Sequence, residues 1–136
     1  MSSIKLSPRC FHFFVFAAFC LFFSHTTVYG KDLVTARYIS ASGNSIVLTL
    51  SIGKPGPANL IVEQYIPPGN TVLTTSPKAQ KIDHKKGKVK WLFRNTTSGN
   101  FRLSITLKEP ITGGVEAMVR YRAPKSGAFN ELRISP

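Results

Sequence analysis

The chain has 136 residues with 18 Lys and Arg against 6 Asp and Glu, a formal charge of +12, which allows one domain and is short for two. Both cysteines, Cys10 and Cys20, fall within the first thirty residues, so the part that follows has no disulfide or thiolate chemistry and must be held by its core alone. The cation excess favours polyanions such as nucleic acid, anionic lipid headgroups or acidic polysaccharide, without choosing among them.

Residues 1–30 read as a secretory signal. Lys5 and Arg9 form a positive leader, Cys10 to Phe23 is an almost unbroken apolar run, and Val28-Tyr29-Gly30 offers a small residue before a cut. A membrane span needs roughly 20 apolar residues; this run is shorter and contains His12. A lipid-modified Cys20 would need a small residue where Phe19 stands. The expectation is an exported domain from Lys31 to Pro136, secreted or periplasmic and associated with the cell surface, with no transmembrane span once the signal is removed. Two cations leave with the signal, and the 16 that remain against all six acidic residues give a net charge of +10.

From Lys31 onward no stretch sustains a helical period; alternating runs are separated instead by Gly, Pro, Asn and Ser. Leu33 to Ile39 predicts a first strand ended by Ser40 to Asn44. Ser45 to Ile52 predicts a second, with Ile46, Leu48, Leu50 and Ile52 on one face, broken by Gly53-Lys54-Pro55-Gly56-Pro57. Leu60 to Ile66 predicts a third, with Leu60, Val62 and Ile66 opposite Ile61, Glu63 and Tyr65, and with Gln64 interrupting the apolar face. Pro67-Pro68-Gly69 stops it, and Thr71 to Thr75 continues past the turn.

Ala79 to Asp83 and Lys88 to Arg94 then flank His84-Lys85-Lys86-Gly87 as a hairpin, with Val89, Trp91 and Phe93 on the core side. Phe101, Leu103, Ile105 and Leu107 alternate with polar residues, as do Val115, Ala117, Val119 and Tyr121. A short last strand carries Leu132 and Ile134, with room for a helical turn over Ala128 to Leu132. Seven or eight strands, each with one apolar face, predict an all-β antiparallel sandwich; a small closed barrel is the alternative.

Val62-Glu63-Gln64-Tyr65-Ile66-Pro67-Pro68-Gly69-Asn70-Thr71-Val72, then Thr75-Ser76-Pro77 and Val89-Lys90-Trp91, resembles the immunoglobulin-like conserved-repeat domains of bacterial and archaeal surface proteins. The resemblance spans about Leu33 to Pro136. It implies a single immunoglobulin-like β-sandwich over 31–136, an exported module used for spacing, adhesion or assembly. This chain differs from the usual pattern in reading as a single copy and in carrying Lys and Arg on its strands.

The residue inventory argues against catalysis. His84 is the one histidine beyond the signal and has no neighbouring nucleophile or orienting acid. The carboxylates Asp32, Glu63, Asp83, Glu109, Glu116 and Glu131 are scattered, and Glu63 reads as an exposed residue paired with a basic neighbour rather than half of a glycosidase pair. Neither a metal-ligand set nor a phosphate-binding glycine loop is legible, and no cofactor is expected. The constellation with physical content is the basic hairpin: Lys78, Lys81, His84, Lys85, Lys86, Lys88, Lys90 and Arg94, offset within the stretch by Asp83 alone.

Flexible lysines suit loose contact with a phosphate or carboxylate polymer, so an anionic polysaccharide or other envelope component is the expected partner. Lysine-rich edges also prevent sheet-to-sheet aggregation without any ligand. Nucleic acid is disfavoured, because Trp91 and Phe93 point away from the lysines and leave no stacking platform. A cationic effector acting on membranes is disfavoured by the lack of an amphipathic helix. Ile61 and Tyr65 form the second candidate, an exposed pair suited to a protein partner, with the basic charge then incidental. Asn95-Thr96-Thr97 matches a glycosylation acceptor and reads as a polar turn.

Overall fold

The computed structural model describes residues 32–136; the expected signal, with Lys5, Arg9, both cysteines, His12 and His25, lies outside the described residues. Nine strands follow in order: β1 (Val34–Ser42), β2 (Ser45–Ile52), β3 (Asn59–Tyr65), β4 (Val72–Ser76), β5 (Lys81–Asp83), β6 (Lys88–Arg94), β7 (Gly99–Leu107), β8 (Glu116–Arg122) and β9 (Phe129–Ile134). They form two antiparallel sheets, one ordered β1-β2-β7-β4 and the other β5-β6-β3-β8-β9. No ladder joins the two sheets into a closed barrel.

Alternation decides the core. Ile46, Leu48, Leu50 and Ile52 from β2 and Leu103, Ile105 and Leu107 from β7 meet Leu60 and Val62 from β3, Val89 and Trp91 from β6 and Val119 and Tyr121 from β8, all buried. On the central strands β2, β3, β6, β7 and β8 the inward side chains thus leave water, which supplies the main driving force. The inward Gln64 does not break this layer. It is buried and satisfied: Tyr38 Oη–H donates to its Oε1 at 3.0 Å, and its Nε2–H donates to the carbonyls of Tyr65 (2.9 Å) and Glu116 (3.0 Å). Burial pushes the Tyr38 phenol up to about 12 despite the opposing effect of the Gln64 hydrogen bond.

Pro67 to Asn70 does more than reverse the chain. Asn70 N–H donates to Pro67 O at 3.4 Å and Gly69 has φ 89°, as position i+2 of a type II turn requires. The strand beyond it, β4, joins the opposite sheet beside β7 and does not extend β3. Buried Asn70 fixes this crossing: its Nδ2–H donates to Glu109 O at 2.8 Å, and Glu109 N–H donates to its Oδ1 at 3.2 Å.

Three expectations are revised. The first strand runs on through a register shift between Tyr38 and Ser40 and ends at Ser42, because Ala41 regains the inward direction after the extra residue. The first arm of the hairpin is only Lys81–Asp83. Ala128 to Leu132 makes no helical turn; Phe129–Ile134 is a strand in unbroken register with β8, which brings the number of strands to nine.

Candidate functional site

The expected hairpin is present. β5 pairs with β6 through Lys81↔Lys90, Ile82↔Val89 and Asp83↔Lys88. Its turn is seated on the β3 terminus by Ile66 N–H donating to Gly87 O at 2.8 Å. Gly87 has φ 59°, and a Cβ there would collide with the Ile66 carbonyl, so both backbone conformation and space demand glycine. Asp83 Oδ1 accepts the Lys86 N–H at 3.0 Å, and this backbone hydrogen bond, with the charge of Lys86 among the further causes, holds its carboxyl below the usual range.

The hairpin cations separate into two groups. Lys78, Lys81, His84, Lys85 and Lys86 are exposed, as is Arg94 at the far end of β6, and none of them forms an ion pair among the described residues. Lys88 and Lys90 are half-buried beside β3, where Lys88 pairs with a single carboxylate and Lys90 stands directly across the ladder from it.

That carboxylate is Glu63. Its cross-strand neighbours are Lys90 on β6 and Met118 on β8, in a row that runs Lys81-Lys90-Glu63-Met118-Arg133 across the whole sheet. Lys88 Nζ donates to Oε1 at 3.3 Å, Arg120 Nη2 to Oε2 at 2.9 Å, and Tyr65 Oη–H to Oε2 at 3.4 Å. Glu63 is therefore not the exposed residue its alternation implies: it is 4 % accessible, on the outer face, beneath the long side chains that reach it. Burial pushes its carboxyl up, but the Lys88 hydrogen bond and the charges of Arg120, Lys88 and Lys90 outweigh burial and hold it below the usual carboxylate range.

The Ile61 and Tyr65 pair divides around Glu63. Tyr65 lies between Lys88 and Glu116, with Lys88 Nζ 5.9 Å from its ring centre, so it belongs to the charge cluster. Ile61 instead lines a shallow groove of about 360 Å³ with Arg120, Phe129, Asn130 and Glu131. The Phe129 ring is 70 % exposed, and the Arg122 guanidinium stacks 4.6 Å from its centre. Arg120 Nε is buried without a hydrogen-bond partner at the side of this groove.

The aromatic platform missing from the hairpin thus exists at the opposite end of the same sheet. Reading Ala128 to Leu132 as a helical turn hides it; the alternation of Phe129, Glu131 and Arg133 against Asn130, Leu132 and Ile134 is the signal that reveals it. No group of three or more His, Cys, Asp or Glu side chains gathers in a metal-holding arrangement among the described residues. No helix among them is long and apolar enough to cross a membrane. Asn95 is exposed in a turn at φ 50°.

Comparison with known proteins adds little chemistry. No family model matches the chain, and no solved structure matches it. The chain is similar to an uncharacterized protein of Archaeoglobus fulgidus, 33 % identical over 72 residues, a match covering 53 % of this chain and 42 % of that protein. The chain thus spans less than half the length of the relative it matches.

Proposed function

We propose that this protein is a non-catalytic, exported β-sandwich of immunoglobulin-like type that binds or organises an anionic polymer of the cell envelope or matrix. The exposed lysines of its β5–β6 hairpin make the contact. One observation carries this reading: among the described residues Lys78, Lys81, Lys85 and Lys86 stay exposed and without ion pairs, while the carboxylates of the same sheet are taken up elsewhere. Asp83 accepts the Lys86 N–H within the turn, and Glu63 accepts from Lys88, Arg120 and Tyr65. Flexible point charges on a turn suit loose, multi-site contact with carboxylate, sulfate or phosphate groups. The immunoglobulin-like reading rests on the two stacked antiparallel sheets and on the turn and tryptophan motifs they place. Export rests on the leader.

The test is retention on immobilised heparin across a salt gradient, comparing the wild type with Lys78, Lys81, Lys85 and Lys86 changed to Ser. Lys88 is left in place because it pairs with Glu63, and Lys90 because it is half-buried across the ladder from Glu63. The hairpin variant is expected to elute at clearly lower salt, and a charge-matched control with the exposed Arg37, Lys54, Arg102 and Lys108 changed to Ser at nearly the wild-type position. Equal displacement of both variants would mean that net charge, not the hairpin, does the binding.

A second reading, a structural or adhesive subunit meeting a protein partner, is favoured by the exposed Phe129 beside Ile61. It retains Ile61 from the expected contact pair and replaces Tyr65 with Phe129.

A further inference from the structure

Four strand edges border the two sheets, and three carry a feature that discourages pairing with another chain. β1 has a register shift between Tyr38 and Ser40, and β4 has one between Val72 and Thr74 with Pro77 directly after it. β5 has three residues and begins on Lys81. Bulges, prolines, short length and lysines are the usual means of blunting an edge. β9 has no bulge, proline or lysine: it is six residues in continuous register with β8, from Ile134↔Ala117 to Phe129↔Arg122, and its two charged side chains, Glu131 and Arg133, are of opposite sign. It pairs on one side only, and every residue but Leu132 and Ile134 is exposed.

The charges of β9 are complementary to those of a second β9. Glu131 and Arg133 lie on its outer face, two residues apart, with Leu132 between them on the inner face. In an antiparallel pair centred on Leu132, Glu131 of each copy stands opposite Arg133 of the other, and the two Leu132 side chains meet on the two-fold axis. Opposite charges directly across a ladder favour pairing, and a two-fold arrangement uses each exposed edge once and closes. On the inner face, the paired leucines adjoin a cleft of about 390 Å³ with a mixed lining, Val34, Ala36 and Leu132 beside Asp32 and Glu131.

We propose that the protein self-associates through β9, forming a two-fold dimer in which the two five-stranded sheets join edge to edge. This places both basic hairpins at the far ends of one continuous sheet, since β5 is the opposite edge from β9. The proposal is independent of what the hairpins bind.

Sedimentation velocity of the purified protein over a concentration series tests it. The wild type is expected to show a concentration-dependent monomer–dimer equilibrium. Glu131→Arg and Arg133→Glu each create two like-charged cross-strand pairs and are expected to weaken the dimer about tenfold or more. A 1:1 mixture of the two variants restores both opposite-charge pairs and is expected to recover a dimer. The ion pairs these changes remove within one copy, Arg133 with Glu131 at 3.2 Å and with Glu116 at 3.6 Å, are exposed, so both variants are expected to stay folded, as thermal melting by circular dichroism would verify.

Leu132→Cys gives an independent readout. Facing residues of an antiparallel pair have Cα atoms within disulfide range, so mild oxidation is expected to cross-link two copies through this position, whereas Thr49→Cys should not cross-link. A wild type that remains monomeric at every concentration overturns the proposal. So does a dimer that both charge variants leave intact, or a folded 1:1 mixture that stays monomeric.

Discussion

On the outer face of the four-stranded sheet, Arg37 and Arg102 flank Thr49 across neighbouring strands, and the four strands hold no acidic residue at all. On the outer face of the five-stranded sheet, Lys88, Lys90 and Arg120 surround Glu63, and four of the protein's six acidic residues lie in its strands. The first face is otherwise rich in Ser and Thr, with Ser51 Oγ–H donating to Asn100 Oδ1 at 2.6 Å, and its arginines are exposed. The second is an organised charge network. Cations are present on both, so the count of positive charges is a poor guide to where a site lies. What distinguishes the faces is whether a carboxylate has been buried to hold the cations in place, and which cations are then left over.

The sharpest way to break this contrast is to put the same lysine at the centre of each face. Glu63→Lys adds a cation where Lys88, Lys90 and Arg120 already converge. Its expected cost lies below the loss of about 3 to 5 kcal/mol when one member of a fully buried pair is removed, because Lys88 and Arg120 are partly exposed and solvent screens them. It is still a sizeable share of a typical stability of about 5 to 15 kcal/mol. Thr49→Lys, between Arg37 and Arg102, is expected to cost about 1 kcal/mol or less, because these charges are exposed and solvated. Urea unfolding of the two variants measures the difference; similar losses would show that Glu63 does not organise its face.

Acid titration separates the faces next. The Glu63 carboxyl is held below its unfolded value, so its contribution to stability is fully present above the unfolded carboxyl pKa. That contribution is lost as pH falls through the folded value. The drop in unfolding free energy between about pH 7 and about pH 3, which spans the ordinary carboxylate range, is expected to be smaller in Glu63→Gln than in the wild type. Changing Arg37 and Arg102 to Gln should leave that drop almost unaltered, since no carboxylate faces them. An unchanged drop in Glu63→Gln would contradict the depressed carboxyl.

The smallest expected effect runs in the stabilising direction. Thr49→Glu places a carboxylate between two cross-strand arginines, reproducing in exposed form what Glu63 does on the other sheet. A gain of about 0.5 kcal/mol is expected from two such pairs, diminishing at high salt. Equilibrium unfolding at low and high ionic strength measures it, and a loss of stability would mean that the arginines do not lie within reach of position 49.

Much of this molecule is legible in local patterns. The eight residues of β2, the second arm of the hairpin and the alternation of β7 and β8 follow from period-two burial and from the Gly and Pro that end each run. The polar face of β6 likewise reads directly as Lys88, Lys90, Leu92 and Arg94. The candidate site is legible only in part, because a row of neighbours across a sheet comes from separate strands. Glu63 meets Lys88 from 25 residues away and Arg120 from 57 residues away, distances over which no periodicity runs.

By itself, then, the sequence determined which side chains turn inward, where the chain must reverse and that the hairpin turn is basic, since each depends on residues adjacent along the chain. Only the tertiary structure decided that β4 leaves the sheet of β3 and that Glu63 is buried on an outward face. It alone placed Phe129 on an open edge strand. These outcomes depend on which strands become neighbours. Pairing buries a polar side chain or leaves an edge bare according to what lies beside it, not according to its own position in the alternation.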